Sequence, residues 1–278
     1  MTLTIASWNV NSIRRRMDGL AALVEELAPD IICLQETKVV DELFPTVKVA
    51  ALGYEHQAIS GIKAYNGVAI LSKFPLSNHQ TGIWCGRADG RHIYATVELS
   101  DDEPTFEVHS LYIPAGGDKP DPITNPKFAH KLEFMNELTH WWSARGPVDQ
   151  PQGGPPRIMA GDFNVAPLAA DVWSHERLKN IVTHTKVEIE HLAALRSSGD
   201  WVDAIRYFLK DDERLFTWWS YRTPEWREAD KGRRLDHIWV TPDLVPALRE
   251  MAVVIDARDW EPPSDHVPLI LRIDGAAL

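Results

Sequence analysis

The chain has 278 residues, of which 44% are hydrophobic and 25% charged, a balance typical of a globular protein with a sizeable core. By itself the net charge of −11 argues against nucleic-acid binding, although net charge averages over the whole surface and a local basic patch can persist on an acidic body. Two cysteines are too few for a disulfide framework, and no window of about 18 apolar residues predicts a membrane span.

The N-terminus, MTLTIASWNVN, lacks the basic segment and long apolar run of a signal peptide, so we expect a cytoplasmic protein. Cys33, within the apolar run IICLQ, is expected to be a small core residue. The Pro- and Gly-rich segment 145–157 is interpreted as a surface loop, because helix and strand signals resume directly after it. Residues 1–278 are therefore predicted to form a single domain.

The first half of the chain predicts one helix among several strands. LTIASWN is a predicted strand, and the residues that follow it repeat at helical spacing: Ile13, Met17, Leu20, Val24 and Leu27. Pro29 and Asp30 end that helix, and IICLQ is a second short strand. Alternation and β-branched residues predict three further strands, GVAILS, HIYATVEL and TFEVHSLYI.

The second half begins with a strong helix signal. Asn125 and Pro126 supply an N-cap and a first-turn proline, and an apolar stripe follows at Phe128, Leu132, Met135, Leu138 and Trp142. Short helices are expected around 188–196 and 201–209. The remaining predicted strands are RIMAGDFN, RLFTWWS, RLDHIWV, MAVVID and VPLILRI.

Strands thus come in runs, without the strict alternation of a wholly parallel sheet. We predict an α/β fold in which two mixed sheets pack face to face with helices outside.

Polar residues recur where these strands begin or end. In IMAGDFN, Asp162 and Asn164 lie two apart, so they project to the same side of an extended chain. Each such residue alone is explained by a turn or a solvated surface. Together they form an inventory of carboxylates, amides, a tyrosine and a histidine: Glu36, Asp162, Asp236, Asp265, Asn9, Asn11, Asn164, Tyr112 and His266.

This inventory suits a magnesium site that binds phosphate. Mg²⁺ prefers hard oxygen ligands, often one or two carboxylates together with water and a substrate phosphate. A neighbouring carboxylate stabilises a protonated histidine, which can face the charge that develops on a phosphate oxygen. Zinc is less favoured, because no Cys/His cluster has the ligand spacing of a zinc site.

An ordered set of motifs then resembles the exonuclease III type of apurinic/apyrimidinic endonuclease, within the endonuclease–exonuclease–phosphatase superfamily. The motifs span nearly the whole chain: WNVNSIRRR, LQETKVVDELFP, YNGVAILSK, LYIPAGG, GDFNVAP, FTWWSYR, GRRLDHIWV and PSDHVPL. Any one of them is weak, whereas the set in this order is specific. The resemblance implies a four-layer α/β sandwich of two sheets flanked by helices.

The resemblance also implies roles. Glu36 would be the main ligand of Mg²⁺, for which Mn²⁺ may substitute, with Asn9, Asn11 and Asp265 beside it. Asp162 would orient or deprotonate the attacking water, and Asn164 would hold a phosphate oxygen. Asp236 would keep His266 protonated against the scissile phosphate, and Tyr112 would contact the phosphate or the leaving group. In-line attack by water, aided by a metal, fits this division.

Two features bear on the substrate. Arg14, Arg15 and Arg16 open a helix, where cations oppose the helix dipole, so either phosphate binding or a solvated face would explain them. Four more cations extend the proposed basic patch, Arg87, Arg91, Lys127 and Lys131. In TWWSYRTPEW, Trp218 or Trp219 is the candidate to stack on bases or wedge into a duplex, Trp218 slightly ahead. The alternative is that one or more of these tryptophans only pack in the core.

The favoured function is a magnesium-dependent repair nuclease that acts on double-stranded DNA as a monomer. It would cut 5′ of abasic sites and trim or unblock 3′ ends. Two departures from the family pattern bear on it: Ala115 lacks a hydrogen-bonding side chain, and Asn11 stands where some relatives have an acid. Rivals are another phosphoesterase of the superfamily, such as a deoxyribonuclease I-like enzyme, an inositol-polyphosphate phosphatase or a sphingomyelinase, or a non-catalytic DNA-binding protein. The deoxyribonuclease I-like branch would have a histidine near Tyr112.

Overall fold

The computed structural model describes residues 2–99, 106–146, 154–223 and 225–275. Most of the loop predicted at 145–157 lies outside these ranges. Within them, the chain forms two six-stranded sheets. The first has the order β11-β12-β1-β2-β4-β3, with strands β1 Thr2–Asn9, β2 Ile31–Gln35, β3 His56–Ser60, β4 Val68–Ser72, β11 Leu248–Val253 and β12 Leu269–Asp274.

The second sheet has the order β5-β6-β7-β8-β10-β9. Its strands are β5 Leu76–Thr81, β6 His92–Val97, β7 Phe106–Tyr112, β8 Arg157–Asp162, β9 Val202–Asp203 and β10 Asp236–Val240. In each sheet one neighbouring pair is parallel, β1 with β2 and β7 with β8, and the other pairs are antiparallel. Both sheets are therefore mixed, as predicted.

The helices of the described residues are α1 Met17–Leu27, α2 Thr46–Ala51, α3 Pro126–Arg145, α4 His175–Leu178, α5 Lys186–Ser198 and α6 Trp226–Ala229. Between the sheets lies a core to which both contribute, for example Ile5 of β1 and Ile158 of β8. Leu20 of α1 packs on the other face of the first sheet, and Leu138 of α3 packs on that of the second. This is the predicted four-layer α/β sandwich. None of the described helices is long and apolar enough to cross a membrane.

The helix signals in the sequence are confirmed at two places. The side chain of Asn125 accepts a hydrogen bond from the backbone N–H of Lys127, so it caps α3. Thr185 and Glu188 form a reciprocal capping box that opens α5 over the predicted segment 188–196. The helix expected from Ile13 instead begins as a 3-10 turn, Ile13–Arg15, before α1.

Two predictions of local structure were wrong, and two strands were missed. RLFTWWS is not a strand: within it only Trp218 makes β-bridges, isolated ones to Arg233 and His266. Segment 201–209 contains β9 and a 3-10 turn in place of a helix. Strands β3 and β5 were missed because HQAIS and LSNHQT carry few apolar residues on their half-buried or exposed surfaces.

Candidate active site

The two parallel strand pairs bring four strand ends together. Asn9 ends β1 beside Gln35 of β2, and Tyr112 ends β7 beside Asp162 of β8. Since parallel strands end at the same edge, each pair presents its polar residues at one edge of its sheet. β1 packs on β8 and β2 on β7, so the two edges meet. Pairing of β10 with β8 then adds Asp236 directly opposite Asp162.

Asn9 joins the two sheets at this point. Its Nδ2 donates to Glu36 Oε1 at 2.9 Å and to Asp162 Oδ2 at 2.9 Å. Its Oδ1 accepts the backbone N–H of Asn11 at 3.1 Å. Both ends of the Asn9 amide are thus engaged, and the residue holds Glu36 and Asp162 at a fixed separation.

Asp162 has further donors from its own strand end. Asn164 donates its backbone N–H to Oδ1 at 2.9 Å and its Nδ2 to Oδ2 at 3.2 Å. This confirms that the side chains of Asp162 and Asn164, two positions apart, converge. Asn164 has a φ of 54°, a left-handed backbone conformation that asparagine tolerates better than most residues.

His266 lies between two aspartates. Its Nδ1 donates to Asp236 Oδ2 at 2.8 Å, and its Nε2 lies 3.7 Å from Asp162 Oδ2. Thr217 also donates to Asp236 Oδ2, at 2.6 Å, and this contact fixes the carboxylate from the other side. His266, Asp236 and Asp162 are all buried.

Burial and the charges of their neighbours shift the pKa values of both His266 and Asp162. Burial opposes protonation of His266, but Asp236 and Asp162 together raise the pKa of its imidazole above the usual range. Burial raises the pKa of Asp162, against the opposing charge of His266. The site therefore holds an imidazolium next to a carboxylate that is a stronger base than an ordinary aspartate.

Glu36 and Tyr112 form the neighbouring part of the site. Burial alone would raise the pKa of Glu36, but the ammonium of Lys38, 2.6 Å away, and the hydrogen bond from Asn9 lower it. Tyr112 donates its hydroxyl to Glu36 Oε1 at 2.9 Å. Burial and the nearby carboxylates raise the pKa of Tyr112 well above its usual value, so the phenol stays protonated.

Asp265 is held by two donors at the rim. Asn11 Nδ2 donates to its Oδ1 at 2.9 Å and Trp218 Nε1 to its Oδ2 at 3.0 Å. Lys38 Nζ bridges from Glu36 to Asn11 Oδ1, which lies 2.6 Å from it. Of the predicted metal residues, Asn11 and Asp265 are therefore in direct contact, and Glu36 is linked to them through Lys38.

The donor set fits a hard divalent cation. Carboxylate oxygens of Glu36 and Asp162 lie within 4.8 Å of each other, beside His266, whose protonated ring cannot ligate a metal. The ammonium of Lys38 lies against oxygens of both Glu36 and Asn11, so this spot already favours positive charge. Carboxylate and amide oxygens without a thiolate are the ligands preferred by Mg²⁺.

An open cleft of about 610 Å³ is bordered by Trp218, Arg233 and Ala115. The polar residues of the site that line it are Glu36, Tyr112, Asp162, Asn164, Asp265 and His266. A second cleft adjoins it across Tyr112, Ala115 and Gly117. Three predicted basic residues line the second cleft, Arg87, Arg91 and Lys127. The guanidinium of Arg91 lies 4.9 Å from the centre of the Tyr112 ring, so it also supports the active-site tyrosine.

Three residues proposed for substrate binding are instead structural. Trp219 is buried and packs edge-on against Trp226, so it is a core residue, which was the other interpretation of these tryptophans. Lys131 is fully buried and pairs with Glu188. Arg16 is buried and donates to the carbonyl oxygen of Pro263, whereas its neighbours Arg14 and Arg15 are exposed.

The sequence interpretation missed three supporting residues. Lys38 stands two positions after Glu36, Thr217 lies within FTWWSYR, and Ser264 directly precedes Asp265. Ser264 donates its hydroxyl to the carbonyl oxygen of Asn9 and accepts the backbone N–H of His266. The i,i+2 spacings of Glu36 with Lys38 and of Ser264 with His266 are visible in the sequence. The contacts of Thr217 with Asp236 and of Ser264 with Asn9 join distant segments.

Comparison with known proteins agrees with this geometry. The sequence pattern of the Endonuclease/Exonuclease/phosphatase family matches residues 6–266. Exodeoxyribonuclease III of Haemophilus influenzae is 29% identical over 268 residues, which cover 95% of this chain and 97% of that protein.

Two solved structures are similar over almost the whole chain. An AP endonuclease from Archaeoglobus fulgidus is 32% identical with a TM-score of 0.87, covering 98% of this chain and 99% of that one. The 3′ phosphatase NExo from Neisseria, bound to a product DNA hairpin, is 29% identical with a TM-score of 0.84 over the same shares.

Proposed function

Because this chain belongs to the Endonuclease/Exonuclease/phosphatase family, we propose that it is a magnesium-dependent DNA repair nuclease of the exodeoxyribonuclease III type. It hydrolyses phosphodiester bonds of double-stranded DNA, cutting 5′ of abasic sites and removing nucleotides or blocking groups from 3′ ends. It acts as a monomer in the cytoplasm, with residues 1–278 as one catalytic domain.

One observation carries the proposal: Asp162, backed by two asparagine amides, lies 3.7 Å from an imidazole that Asp236 holds protonated. A strengthened base and a fixed cation, side by side in a cleft, suit in-line attack of water on a phosphate. The base faces the nucleophile and the cation faces the charge that develops in the transition state.

Each residue of the site has a separate role in the proposed hydrolysis. Asp162 orients the attacking water and takes its proton, and His266 Nε2 donates to a non-bridging phosphate oxygen. Asp236 holds His266 in place by accepting from its Nδ1, and Thr217 holds Asp236 by donating to the same carboxylate oxygen. Asn164 would turn its amide from Asp162 to another phosphate oxygen when substrate binds. The hydroxyl of Tyr112, which stays protonated, would turn from Glu36 toward the leaving oxygen.

Glu36, Asn11 and Asp265 would hold a magnesium ion, with Mn²⁺ as the expected substitute. A bound ion would offset negative charge on the phosphate and on the leaving oxygen. Asn9 serves this site as a positioning residue, because both ends of its amide are engaged by Glu36, Asp162 and the backbone of Asn11.

Two features of the cleft support DNA as the substrate. The ring of the half-buried Trp218 borders the cleft and has Arg233 stacked 5.5 Å from its centre, a surface suited to a base or a lesion. Arg87, Arg91 and Lys127 provide cations along the adjoining cleft for the backbone phosphates.

A 5′-labelled duplex with one abasic site tests the proposal. Protein is incubated with the duplex in Mg²⁺ or in a chelator, and the products are sized beside those of Asp162→Asn. We expect a magnesium-dependent nick just 5′ of the lesion that the variant lacks. No cleavage in either Mg²⁺ or Mn²⁺ would refute the nuclease and turn attention to small phosphate esters.

Ala115 favours a second outcome of the same assay. It lies exposed beside Tyr112 in both clefts and offers no side-chain hydrogen bond to a phosphate. Trimming from the 3′ end without the internal nick would assign the chain mainly to 3′-end processing. Ala115→Asn would then be expected to restore part of the nicking activity.

A further inference from the structure

A tight turn outside the active site presents a cysteine in an unusual conformation. Trp84 and Arg87 close the turn, with the Arg87 N–H donating to the Trp84 carbonyl oxygen at 2.9 Å. The central residues Cys85 and Gly86 have φ values of 52° and 66°. Turns of this kind favour Asn or Gly at both positions, so cysteine carries backbone strain there.

The neighbouring helix faces this turn with further polar groups. Cys85 Sγ, a ring nitrogen of His130 and a carboxylate oxygen of Glu133 lie within 4.8 Å of one another. His130 and Glu133 are three residues apart in α3, so their side chains lie on one face. The Nε2 atom of His130 is buried and has no hydrogen-bond partner.

From these contacts we infer that Cys85, His130 and Glu133 form a binding site for a thiophilic divalent cation, with Zn²⁺ as the best match. A thiolate, an imidazole and a carboxylate are the ligand types that zinc takes in proteins. Three protein ligands leave a fourth position for water. The thiol of Cys85 releases its proton to solvent as the metal–sulfur bond forms.

The geometry needs only a small adjustment. Ligand atoms around tetrahedral zinc are about 3.5 Å apart, as the metal–ligand bond lengths dictate. Since the three atoms lie within 4.8 Å of one another, they need to approach by at most about 1.3 Å. Glu133 is exposed and His130 half-buried, so rotation of their side chains supplies this movement while the backbone stays in place.

The backbone around the site is already fixed. The Cys85 N–H donates to Glu137 Oε2 at 2.6 Å, which ties the turn to α3 one helical turn beyond Glu133. The side chain of Trp84 is buried against Phe134 and Trp141. A bound ion would add a second link between the same turn and the same helix.

The surrounding charge favours a cation. Three carboxylates act on the Cys85 thiol, those of Glu133, Glu137 and Asp89, against the single guanidinium of Arg87. This site is separate from the magnesium site, which has no thiol. Sequence spacing could not reveal it, because Cys85 lies 45 residues before His130.

Cobalt absorption provides a direct test. Co²⁺ substitutes for Zn²⁺ and gives a strong near-ultraviolet band only when a thiolate is bound. We expect one equivalent of Co²⁺ per full-length chain to produce this band, and Zn²⁺ to abolish it by competition. Cys85→Ser should lose the band. His130→Ala should weaken metal affinity by more than about 100-fold, whereas loss of a residue that only supports a ligand costs about 10–100-fold.

Matched variants separate this site from other metal binding. Cys33→Ala removes the other cysteine, which is fully buried, and should keep the band. His140→Ala changes an exposed histidine of the same helix and should bind as the unmodified protein does. Cobalt binding without a thiolate band, or a band that persists in Cys85→Ser, would overturn the inference.

Discussion

Asp162 and Asp236 are both buried aspartates of the second sheet, and their neighbours give them different tasks. Asp236 accepts hydrogen bonds from His266 and Thr217, and its carboxylate is ion-paired with the imidazole. Asp162 accepts mainly from neutral amides, those of Asn9 and Asn164. Its negative charge is therefore less compensated, and burial raises its pKa. In the proposed mechanism, the same residue type would therefore act as a positioning group at Asp236 and as a base at Asp162.

Replacement of Asp162 tests this distinction. Asp162→Asn keeps the shape of the side chain but removes the base, so we expect kcat on abasic duplex DNA to fall by about 10²–10⁴-fold. Single-turnover cleavage measures the rate, and fluorescence anisotropy measures DNA affinity, which should change little. Asp256→Asn, at an exposed position, is the control and should cleave normally. Equal cleavage by both variants would remove Asp162 from the mechanism.

Trp218 and Trp219 are adjacent but face different surroundings. Trp218→Ala should weaken binding to abasic DNA by about 10-fold or more, since stacking on a base contributes about 1–3 kcal/mol. Trp219→Ala should instead lower the free energy of unfolding by about 3–5 kcal/mol, as expected for a large core residue. Binding and urea titrations of both variants measure the two effects.

Trp218→Phe separates stacking from the hydrogen bond to Asp265. The ring remains in this variant, whereas the indole N–H that Asp265 accepts is lost. Affinity close to that of the unmodified protein would assign the effect to stacking. Loss equal to that of the alanine variant would assign it to the contact with Asp265.

Among the structural elements, strand β8 shows how a site is built at a strand end. A Cβ on Gly161 would lie 1.9 Å from the carbonyl oxygen of Leu111 in β7. Only glycine allows β7 and β8 to approach this closely, and that approach sets Tyr112 beside Asp162. Gly161 before the acid therefore reflects a packing requirement rather than a turn.

Gly161→Ala should separate β7 from β8. Overpacking of a core costs about 1–3 kcal/mol, and we expect at least the upper value here because the contact is with backbone. Urea unfolding measures the loss, and cleavage should fall with it. Gly19→Ala is the matched control: in α1 the added Cβ would lie 3.1 Å from an atom of the Trp8 side chain, which can shift. Equal stability of the two variants would contradict the close approach of the strands.

Glu107 of β7 links the second sheet to the end of α3. Its carboxylate accepts from His109 at 2.7 Å and from Arg145 at 2.8 Å. Burial alone would raise the pKa of Glu107, but these two partners lower it to about 2. Because the folded pKa lies below the unfolded value, this group stabilises the fold above the unfolded pKa and loses that effect as pH falls toward 2.

The unfolding free energies of the unmodified protein and Glu107→Gln should therefore differ most at pH 6 and least at pH 3. Chemical denaturation at both pH values measures the difference. Glu250→Gln is the control, because its exposed pair with Arg272 contributes about 0–1 kcal/mol. A difference between Glu107→Gln and the unmodified protein that does not shrink at low pH would mean that the charge of Glu107 is not what stabilises this link.

For the whole molecule, net charge and local charge have opposite signs. The chain carries −11 overall, whereas the cleft beside Tyr112 has cations at Arg87, Arg91 and Lys127. A polyanion is therefore repelled at long range and attracted at this surface. Association should depend steeply on salt, because cations that contact phosphates displace condensed counterions.

Lys127→Ala should reduce the slope of log affinity against log salt by about 1, the value for one lost phosphate contact. Titrations of duplex DNA at several salt concentrations measure the slope. Lys186→Ala removes an exposed lysine of α5 that pairs with Glu190, and its slope should match the unmodified protein. A flat salt dependence of the unmodified protein would contradict the basic cleft.

The sequence by itself determined the layered fold, the family and most of the polar residues at the site. Spacing within one strand fixes the direction of neighbouring side chains, so the convergence of Asp162 and Asn164 was predictable. The cap of α3 at Asn125 was predictable for the same reason, since its signal is local. Motifs in a fixed order then located the other strand ends.

Only the tertiary structure decided which of several similar residues face the cleft. Trp219, Lys131 and Arg16 match the pattern of substrate-binding residues, yet packing buries all three. The contact between Thr217 and Asp236 and the group of Cys85, His130 and Glu133 join segments far apart in the chain. Such contacts depend on how whole sheets and helices pack, and the spacing of residues within one segment does not predict that packing.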